Sequence, residues 1–540
     1  MKKILILHNV KAADLYLNNI KATKFDEIIL FDHLTAIFCH ENNLKFTYLR
    51  KKKTFRSLNA LFKQAREVSL GIDKKIRKKF KNSYNFYQNY SYFARDYSLF
   101  KYLRINLIHI IKNKRKAFYY IKISKDKFNF FEELLNEIFY SNQYLLRPIN
   151  LKQINYKKDN FFPDISDIYK ISDFSRSITS LTYYYLINKF FKKIIGFFKK
   201  KNYFLSSDST EVNDFIFFSD LTKIRSFNPL TTKIKKPFFS YKSEFIPRKY
   251  FEYNFGYIFQ YVLSIANEVS SLDKIYRFKF FTTTAPTLKN NTIIDYFIRK
   301  KRKVFIYLHG GTVGHFVEGF LWPRKFPYVF CKNSLINIGY YSLQQLNLIK
   351  KKNVSYFVQN YIFPKIKISK NIKPKKITYV MQNNFNLNYP FSQDFNDPFK
   401  LFLFRDKFVK FCLRNKYSLL VSKYYALDCF APKKTLNLAI KSGLYESKIL
   451  SLDKGVHDSG TIIFEYFGTS LVNTILSGTS SNIILLYNPN LPIFSNQLKV
   501  LKKRVHIAKN YKDIFKYQKQ KPKLKNKKEV ETFIRGFYGL

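Results

Sequence analysis

The sequence predicts an α/β protein with parallel sheets, arranged as two units. Three observations predict it. The chain opens with a short apolar strand, an amphipathic stretch and a second strand. The same alternation returns after residue 210 and again after residue 376. Apolar residues make up 46% of 540 residues, enough for a large core, and a single core rarely grows to that length.

Taken in order, Lys3 to Leu7 is a branched apolar strand that ends at His8-Asn9, and Glu27 to Asp32 is a second. An amphipathic segment from about Ala13 to Lys21 joins them, which is the spacing of a βαβ unit. Gly-x-Gly-x-x-Gly does not follow the first strand, so the dinucleotide fingerprint is absent. Residues 55 to 140 are largely helical in pattern, with Leu58, Phe62, Ala65 and Val68 at helical spacing. Residues 175 to 201 interleave aromatics with lysines. That suits either a helix in the plane of an anionic membrane surface or a core helix with solvated lysines.

Further along, Asp214 to Ser219, Phe278 to Thr283 and Lys303 to Leu308 read as strands, and Asn291 to Lys300 as a helix. A link at Pro364 to Pro374 precedes a new unit that starts with strand Lys376 to Met381. That unit continues with helices near Pro398 to Asn415, Thr435 to Ser442 and Leu471 to Leu476. Its strands are Ser418 to Val421, Thr461 to Tyr466 and Asn482 to Tyr487. The stretch Tyr517 to Glu529 is a basic, exposed tail, and Phe533 to Leu540 is apolar enough to pack back. The expected division is residues 1–365 with a basic helical insertion over about 55–205, residues 366–515, and a tail over 516–540.

The formal net charge is +59. Lys, Asn, Ile, Phe and Tyr are inflated together while Gly, Pro, Ala and Trp are scarce, so most of the excess follows from a coding bias. The field still attracts anions such as nucleotides and lipid headgroups. Cys39, Cys331, Cys412 and Cys429 have neither disulfide-framework nor zinc spacing, which implies a reducing compartment. The apolar run Ile4 to Leu7 is too short for an export signal. No stretch reaches the roughly 18 to 20 apolar residues of a spanning helix. The expected location is cytoplasmic, peripheral at the inner membrane.

Two loops carry the functional argument. The first is His309-Gly310-Gly311-Thr312-Val313-Gly314-His315, with Glu318 following, at the end of an apolar strand. Glycines let backbone N–H groups approach an anion, and His309, His315 or Glu318 can exchange protons near neutral pH. The plainer reading is a simple turn beside satisfied histidines. Two His, three Gly and one Glu within 309–318 favour function. The second is Gly468-Thr469-Ser470 between a strand and a helix, where free N–H groups and the positive helix end suit a phosphate. Its plainer reading is a Thr or Ser helix cap.

The segment His309 to Gly314 with Glu318 resembles the His-Gly-Gly-x-x-Gly segment of a bacterial family of surface-carbohydrate transferases. Tyr466 to Leu476 with Ile483-Ile484-Leu485 looks like that family's second hallmark, and Asn337-Ile338-Gly339-Tyr340 like its Trp-Gly-Trp-type segment. The resemblance covers roughly residues 300 to 490 and implies a GT-B fold, two Rossmann-like domains facing a cleft, as in capsule-type Kdo transferases. Asn473 stands where the family usually has Glu, and Ser481-Asn482 where it usually has Pro.

The resemblance implies a nucleotide-sugar donor held by the C-terminal unit at Gly468, Thr469 and Ser470, with Gly310, Gly311 and Thr312 as further phosphate contacts. The acceptor would be a glycan or glycolipid, with His309 or Glu318 as base and no metal or other cofactor. His8, Asp14, His315, His457, Asp458 and Asn473 are weaker candidates. Of these His8, Asp14, His457 and Asp458 are read as surface or capping residues. Rival readings are a polyol-phosphate transferase of similar fold, a nucleic-acid-binding protein and a non-enzymatic membrane scaffold. No specific nucleic acid is expected, because the lysines spread over the whole chain.

Overall fold

The computed structural model describes residues 2–19, 25–49, 55–81, 83–87, 93–111, 116–123, 130–142, 144–150, 202–206, 221–225, 238–243, 246–283, 288–307, 336–340, 342–349, 355–358, 372–381, 398–422, 430–448, 458–487, 493–523, 532–533 and 535–537. The chain is α/β, and its described strands form three parallel sheets.

The first sheet is built from β1 (Lys2–Leu7), β2 (Glu27–Leu30), β3 (Thr47–Tyr48), β4 (Lys116–Lys122) and β5 (Leu146–Asn150). Its helices are α1 (Val10–Asn19), α2 (His33–Glu41), α3 (Phe55–Phe80), α4 (Phe93–Ile111) and α5 (Phe130–Ser141). The second sheet uses β6 (Asn202–Ser206), β7 (Leu221–Arg225), β8 (Phe280–Thr283), β9 (Lys303–Ile306), β10 (Ile336–Tyr340) and β11 (Ser355–Val358), with α6 (Arg248–Tyr276), α7 (Leu288–Arg299) and α8 (Leu343–Ile349). The third uses β12 (Lys373–Val380), β13 (Ser418–Ser422), β14 (Tyr445–Lys448), β15 (Ser459–Phe464), β16 (Asn482–Leu486) and β17 (His506–Ala508). With it go α9 (Pro398–Arg414), α10 (Lys433–Lys441), α11 (Thr469–Leu476), α12 (Ser495–Lys502) and α13 (Tyr511–Gln518).

The strand orders locate where ligands can sit. The first sheet runs β3-β2-β1-β4-β5 and the third β14-β13-β12-β15-β16-β17. Each starts in the middle and winds outward both ways. The connections therefore diverge between β1 and β4, and between β12 and β15, leaving a crevice beyond the carboxyl ends of those strands. In the second sheet, β7-β6-β8-β9-β10-β11, the reversal lies between β6 and β8.

Local sequence explains these strands. In β1 the two lysines are exposed and Ile4 to Leu7 are buried, and β12 repeats that pattern. All five residues of β16 are buried. Continuous burial marks parallel strands covered on both faces, so the strands appear as apolar runs instead of alternations. Asn9 starts α1 by accepting from the Ala12 N–H at 2.8 Å, and Asp32 starts α2 by accepting from the Thr35 N–H at 2.7 Å.

The stretch 55–140 is not purely helical. Lys116 to Lys122 is β4, which pairs with β1 from Lys2–Lys116 to Ile6–Tyr120. Its period was hidden because Phe118, Tyr120 and Ile121 are all buried, on both faces of the sheet. Around it, α3 and α6 are joined by aromatics: Phe86 stacks on Phe259 at 5.0 Å, and Phe80 on Phe255 at 5.3 Å. Asp73, fully buried, holds the turn that follows α3 by accepting from the Phe86 and Tyr87 N–H groups.

The first and third sheets touch through α9. Phe399 and Phe402 lie in the apolar cluster with Leu5, Leu7, Val10, Leu30 and Leu34. The Phe399 ring meets His40, Phe46 and Tyr48 at 5.4 to 5.8 Å. The Lys433 N–H, which opens α10, donates to Glu41 of α2 at 2.6 Å. Near the carboxyl terminus Phe533 and Phe537 are buried, and Phe537 lies 5.9 Å from Phe467. Lys523 belongs to this packing as well. Its Nζ donates to the carbonyls of Lys502 and Val505, and burial lowers its pKa, so this end of the basic stretch is anchored.

Candidate functional site

The turn at 465–470 follows β15 at the reversal point of the third sheet, where a crevice is expected. Gly468 is the N-cap of α11 and is extended, with φ −148° and ψ 173°. The N-cap is a glycine with no side chain to offer, so neither Thr469 nor Ser470 occupies the cap position. The Leu471 and Val472 N–H groups turn back to the Gly468 carbonyl at 3.0 and 3.3 Å. Among the described residues the Thr469 and Ser470 N–H groups at the positive helix end have no hydrogen-bond acceptor. The Tyr466 ring packs close over Gly468. A Cβ there would sit 2.3 Å from Cε2 of Tyr466.

Glu465 lies directly beneath this turn and is buried, like Arg405 on α9. The pair is bidentate: Arg405 Nε donates to Oε1 at 2.7 Å and Nη2 to Oε2 at 2.5 Å. Tyr379, near the end of β12, donates its hydroxyl to the same Oε1 at 2.7 Å. Burial opposes the Arg405 charge, but the Glu465 carboxylate and Tyr379 together outweigh it and raise the pKa. The guanidinium also sits over the Phe430 ring at 5.0 Å.

A second polar centre lies at the reversal point of the first sheet. His8 follows β1, and its side chain is fully buried, contrary to the expected surface or capping role. Its Nε2 lies 3.7 Å from Oε1 of Glu132, at the start of α5. Glu132 is held in place by the Ile123 N–H, which donates to that oxygen at 2.7 Å just past β4. Neither ring nitrogen of His8 has a hydrogen-bond partner among the described residues. Tyr120 approaches edge-on at 6.4 Å. An imidazole beside an oriented carboxylate can accept a proton and have the resulting charge stabilised.

The remaining expected residues divide clearly. His309, Gly310, Gly311, Thr312, His315, Glu318 and His457 lie outside the described residues, as does the basic aromatic run 175–201. Of the first loop the structure shows its approach through β9 and Tyr307, whose phenol is pushed up to about 12 by burial. Asp14 accepts from the Asn18 amide at 3.1 Å on the exposed side of α1. Asp458 pairs with Lys376 at 2.5 Å in a partly buried ion pair. Asn473 sits inside α11, its carbonyl accepting from the Ser477 N–H at 2.9 Å.

Sequence reading missed Glu132, Arg405, Glu465 and Tyr379. Arg405 had a signal, since it falls on the helical stripe of Leu401, Phe408 and Cys412, all buried. Glu465 had one too, as a carboxylate closing the apolar run Thr461 to Phe464.

No family model matches this chain, and no curated protein matches it. Among solved structures it is similar to UGT2 of Phytolacca americana, complexed with UDP-2-fluoro-glucose and pterostilbene. Identity there is 10%, over 65% of this chain and 90% of that one, with a TM-score of 0.36. A UDP-GlcNAc 2-epimerase from Neisseria meningitidis is 9% identical over 63% and 99%, with a TM-score of 0.34. Sucrose-phosphate synthase from Thermosynechococcus elongatus is 11% identical over 62% and 84%, with a TM-score of 0.32.

Proposed function

We propose that this chain is a glycosyltransferase that moves a sugar from a nucleotide-sugar donor to a surface polysaccharide or glycolipid acceptor at the inner face of a membrane. The carrying observation is the turn at 465–470, a helix start with no side-chain cap at the reversal point of a parallel sheet. A donor diphosphate placed there meets backbone N–H groups and the positive helix end. These stabilise the leaving nucleotide most as its charge develops.

The acceptor hydroxyl must lose its proton as its oxygen attacks the sugar's anomeric carbon. The bond to the donor phosphate then breaks, and its electron pair leaves with the nucleotide. His309 and Glu318 are bases that the sequence suggests. Among the described residues His8 is the candidate, with Glu132 beside its Nε2 and Nδ1 left to accept. The overall charge of +59 favours acidic donors and an anionic membrane surface.

The test is a panel of uridine- and cytidine-diphosphate sugars with nucleotide release as the readout, on wild type, Ser470→Ala and His8→Gln. The reading expects at least one donor to be turned over. It expects weaker donor binding for Ser470→Ala and, for His8→Gln, turnover lower by about 10²- to 10⁴-fold with donor binding retained. No turnover of any donor, or wild-type rates in both variants, refutes it.

A further inference from the structure

The buried pair Arg405–Glu465 is unexplained by stability alone. Replacing such a pair with apolar residues of similar volume is often neutral or favourable, because desolvating two charges costs about what their attraction returns. Its placement suggests another role. Glu465 is the residue between the end of β15 and the turn that begins at Tyr466. Among the described residues, directed hydrogen bonds hold its carboxylate, two from Arg405 and one from Tyr379. Its N–H donates to the Val380 carbonyl at 3.2 Å. Backbone and side chain are thus both tied to the neighbouring strand and helix, which fixes the direction in which the chain leaves the sheet.

Arg405 also lies on the helix whose first turns are seated in the first sheet's cluster. Phe399 and Phe402 pack there with Leu7, the residue before His8. One rigid helix therefore touches the layer carrying His8 and grips the base of the Gly468 turn.

We propose that Arg405 is a positioning residue: through its two-point bond to Glu465 it sets the Tyr466–Ser470 turn, and α9 holds that turn in fixed relation to the first sheet. The inference rests on the transferase reading only for what the turn holds.

The experiment compares wild type, Arg405→Lys, Tyr379→Phe and the volume-matched double variant Arg405→Met/Glu465→Leu. Amide exchange of the free full-length protein is measured together with UDP and CDP affinity by calorimetry. Exchange at residues 466–472 should rise by about tenfold in the double variant, with strands β13 and β16 unchanged. Arg405→Lys should fall between, since an ammonium cannot bridge both carboxylate oxygens. Tyr379→Phe, which loses one hydroxyl, should shift exchange the same way by less. Nucleotide affinity should weaken in the same order while the melting midpoint stays near wild type.

Unchanged exchange at 466–472 in Arg405→Lys and Tyr379→Phe overturns the inference, even if the double variant fails to fold. So does a rise spread over the whole third sheet with affinity intact. If wild type binds neither nucleotide yet exchange rises at the turn, the transferase reading falls and the positioning role stands.

Discussion

Gly468→Ala isolates the turn from the rest of the third sheet. The added Cβ would lie 2.3, 2.9 and 3.2 Å from Cε2, Cδ2 and Cζ of Tyr466, well inside van der Waals contact. Because the φ of −148° is open to alanine, the backbone is not strained and the whole effect is steric. The Tyr466 ring is half-buried and must swing, or the turn must open. Overpacking of this kind costs about 1–3 kcal/mol. Loss of glycine freedom in the unfolded chain returns about 0.4–1 kcal/mol. The net destabilisation is then on the order of 1–2 kcal/mol, a few degrees in melting midpoint.

Binding should suffer more. If the shift breaks one N–H hydrogen bond to a charged phosphate, about 1.5–3 kcal/mol is lost, or roughly 10- to 150-fold in affinity. Calorimetry with UDP and CDP, beside a thermal melt, separates the two effects. A lowered midpoint with unchanged nucleotide affinity would show that the turn holds no phosphate, and the argument from Gly468 would fail.

Gly460→Ala meets backbone instead of a side chain. Its Cβ would fall 2.6 Å from the Pro374 carbonyl oxygen on β12, which cannot rotate away. The variant should lower the urea midpoint by more than Gly468→Ala does, since it separates β12 from β15. His506 has its pKa lowered, chiefly by burial, with the Lys523 charge adding to it and the Lys521 carbonyl opposing it. The unfolded chain therefore binds more protons, so the stabilisation is present above the unfolded value near 6.5 and is lost as pH falls through the lower folded value. His506→Gln should flatten the urea midpoint between pH 7.5 and pH 5 relative to wild type, and an equal slope in both refutes the assignment. Burial pushes the Cys39 thiol up to about 12, with the Asp32 charge adding to it, and raises the Cys412 thiol further. Both should resist iodoacetamide at about pH 8 until the protein unfolds, as peptide mass spectrometry can show. Labelling of either in the native protein contradicts its burial.

Legibility followed the length of the apolar run. Several C-terminal elements were readable because each carries one uninterrupted signal: Pro398 to Asn415 was expected where α9 spans Pro398–Arg414, and Asn482 to Tyr487 where β16 spans Asn482–Leu486, whereas the short β14, β17, α12 and α13 were not read. β4 was not readable, since its aromatic residues sit among helices equally rich in aromatics. The reversal points were invisible for a different reason. Strand order depends on which crossover goes to which side, and no residue within a strand encodes that. Thus the Gly468 turn could be picked from its glycine and hydroxyls, but its place between β12 and β15 could not. Glu132 was hidden in the same way. It meets His8 only because β4 pairs beside β1, which brings residues far apart in the chain together.

That last pairing also bears on the role proposed for His8. A buried polar group without a partner costs about 1–3 kcal/mol. An aliphatic residue at position 8 would avoid the cost, and the preceding Ile4 to Leu7 show that this strand takes aliphatics readily. Structural histidines in cores normally satisfy at least one ring nitrogen. Among the described residues neither ring nitrogen of His8 is bonded, and the Glu132 carboxylate oxygen at 3.7 Å, too far for a hydrogen bond, is itself held by a backbone N–H. A small shift of α5 toward β1 would bring Glu132 into bonding range of Nε2, while Nδ1, buried in this structure, would meet a substrate hydroxyl only if the pocket opened. On the proposed reading the 3.7 Å spacing is that of a base whose hydrogen bonds tighten only when the substrate is in place.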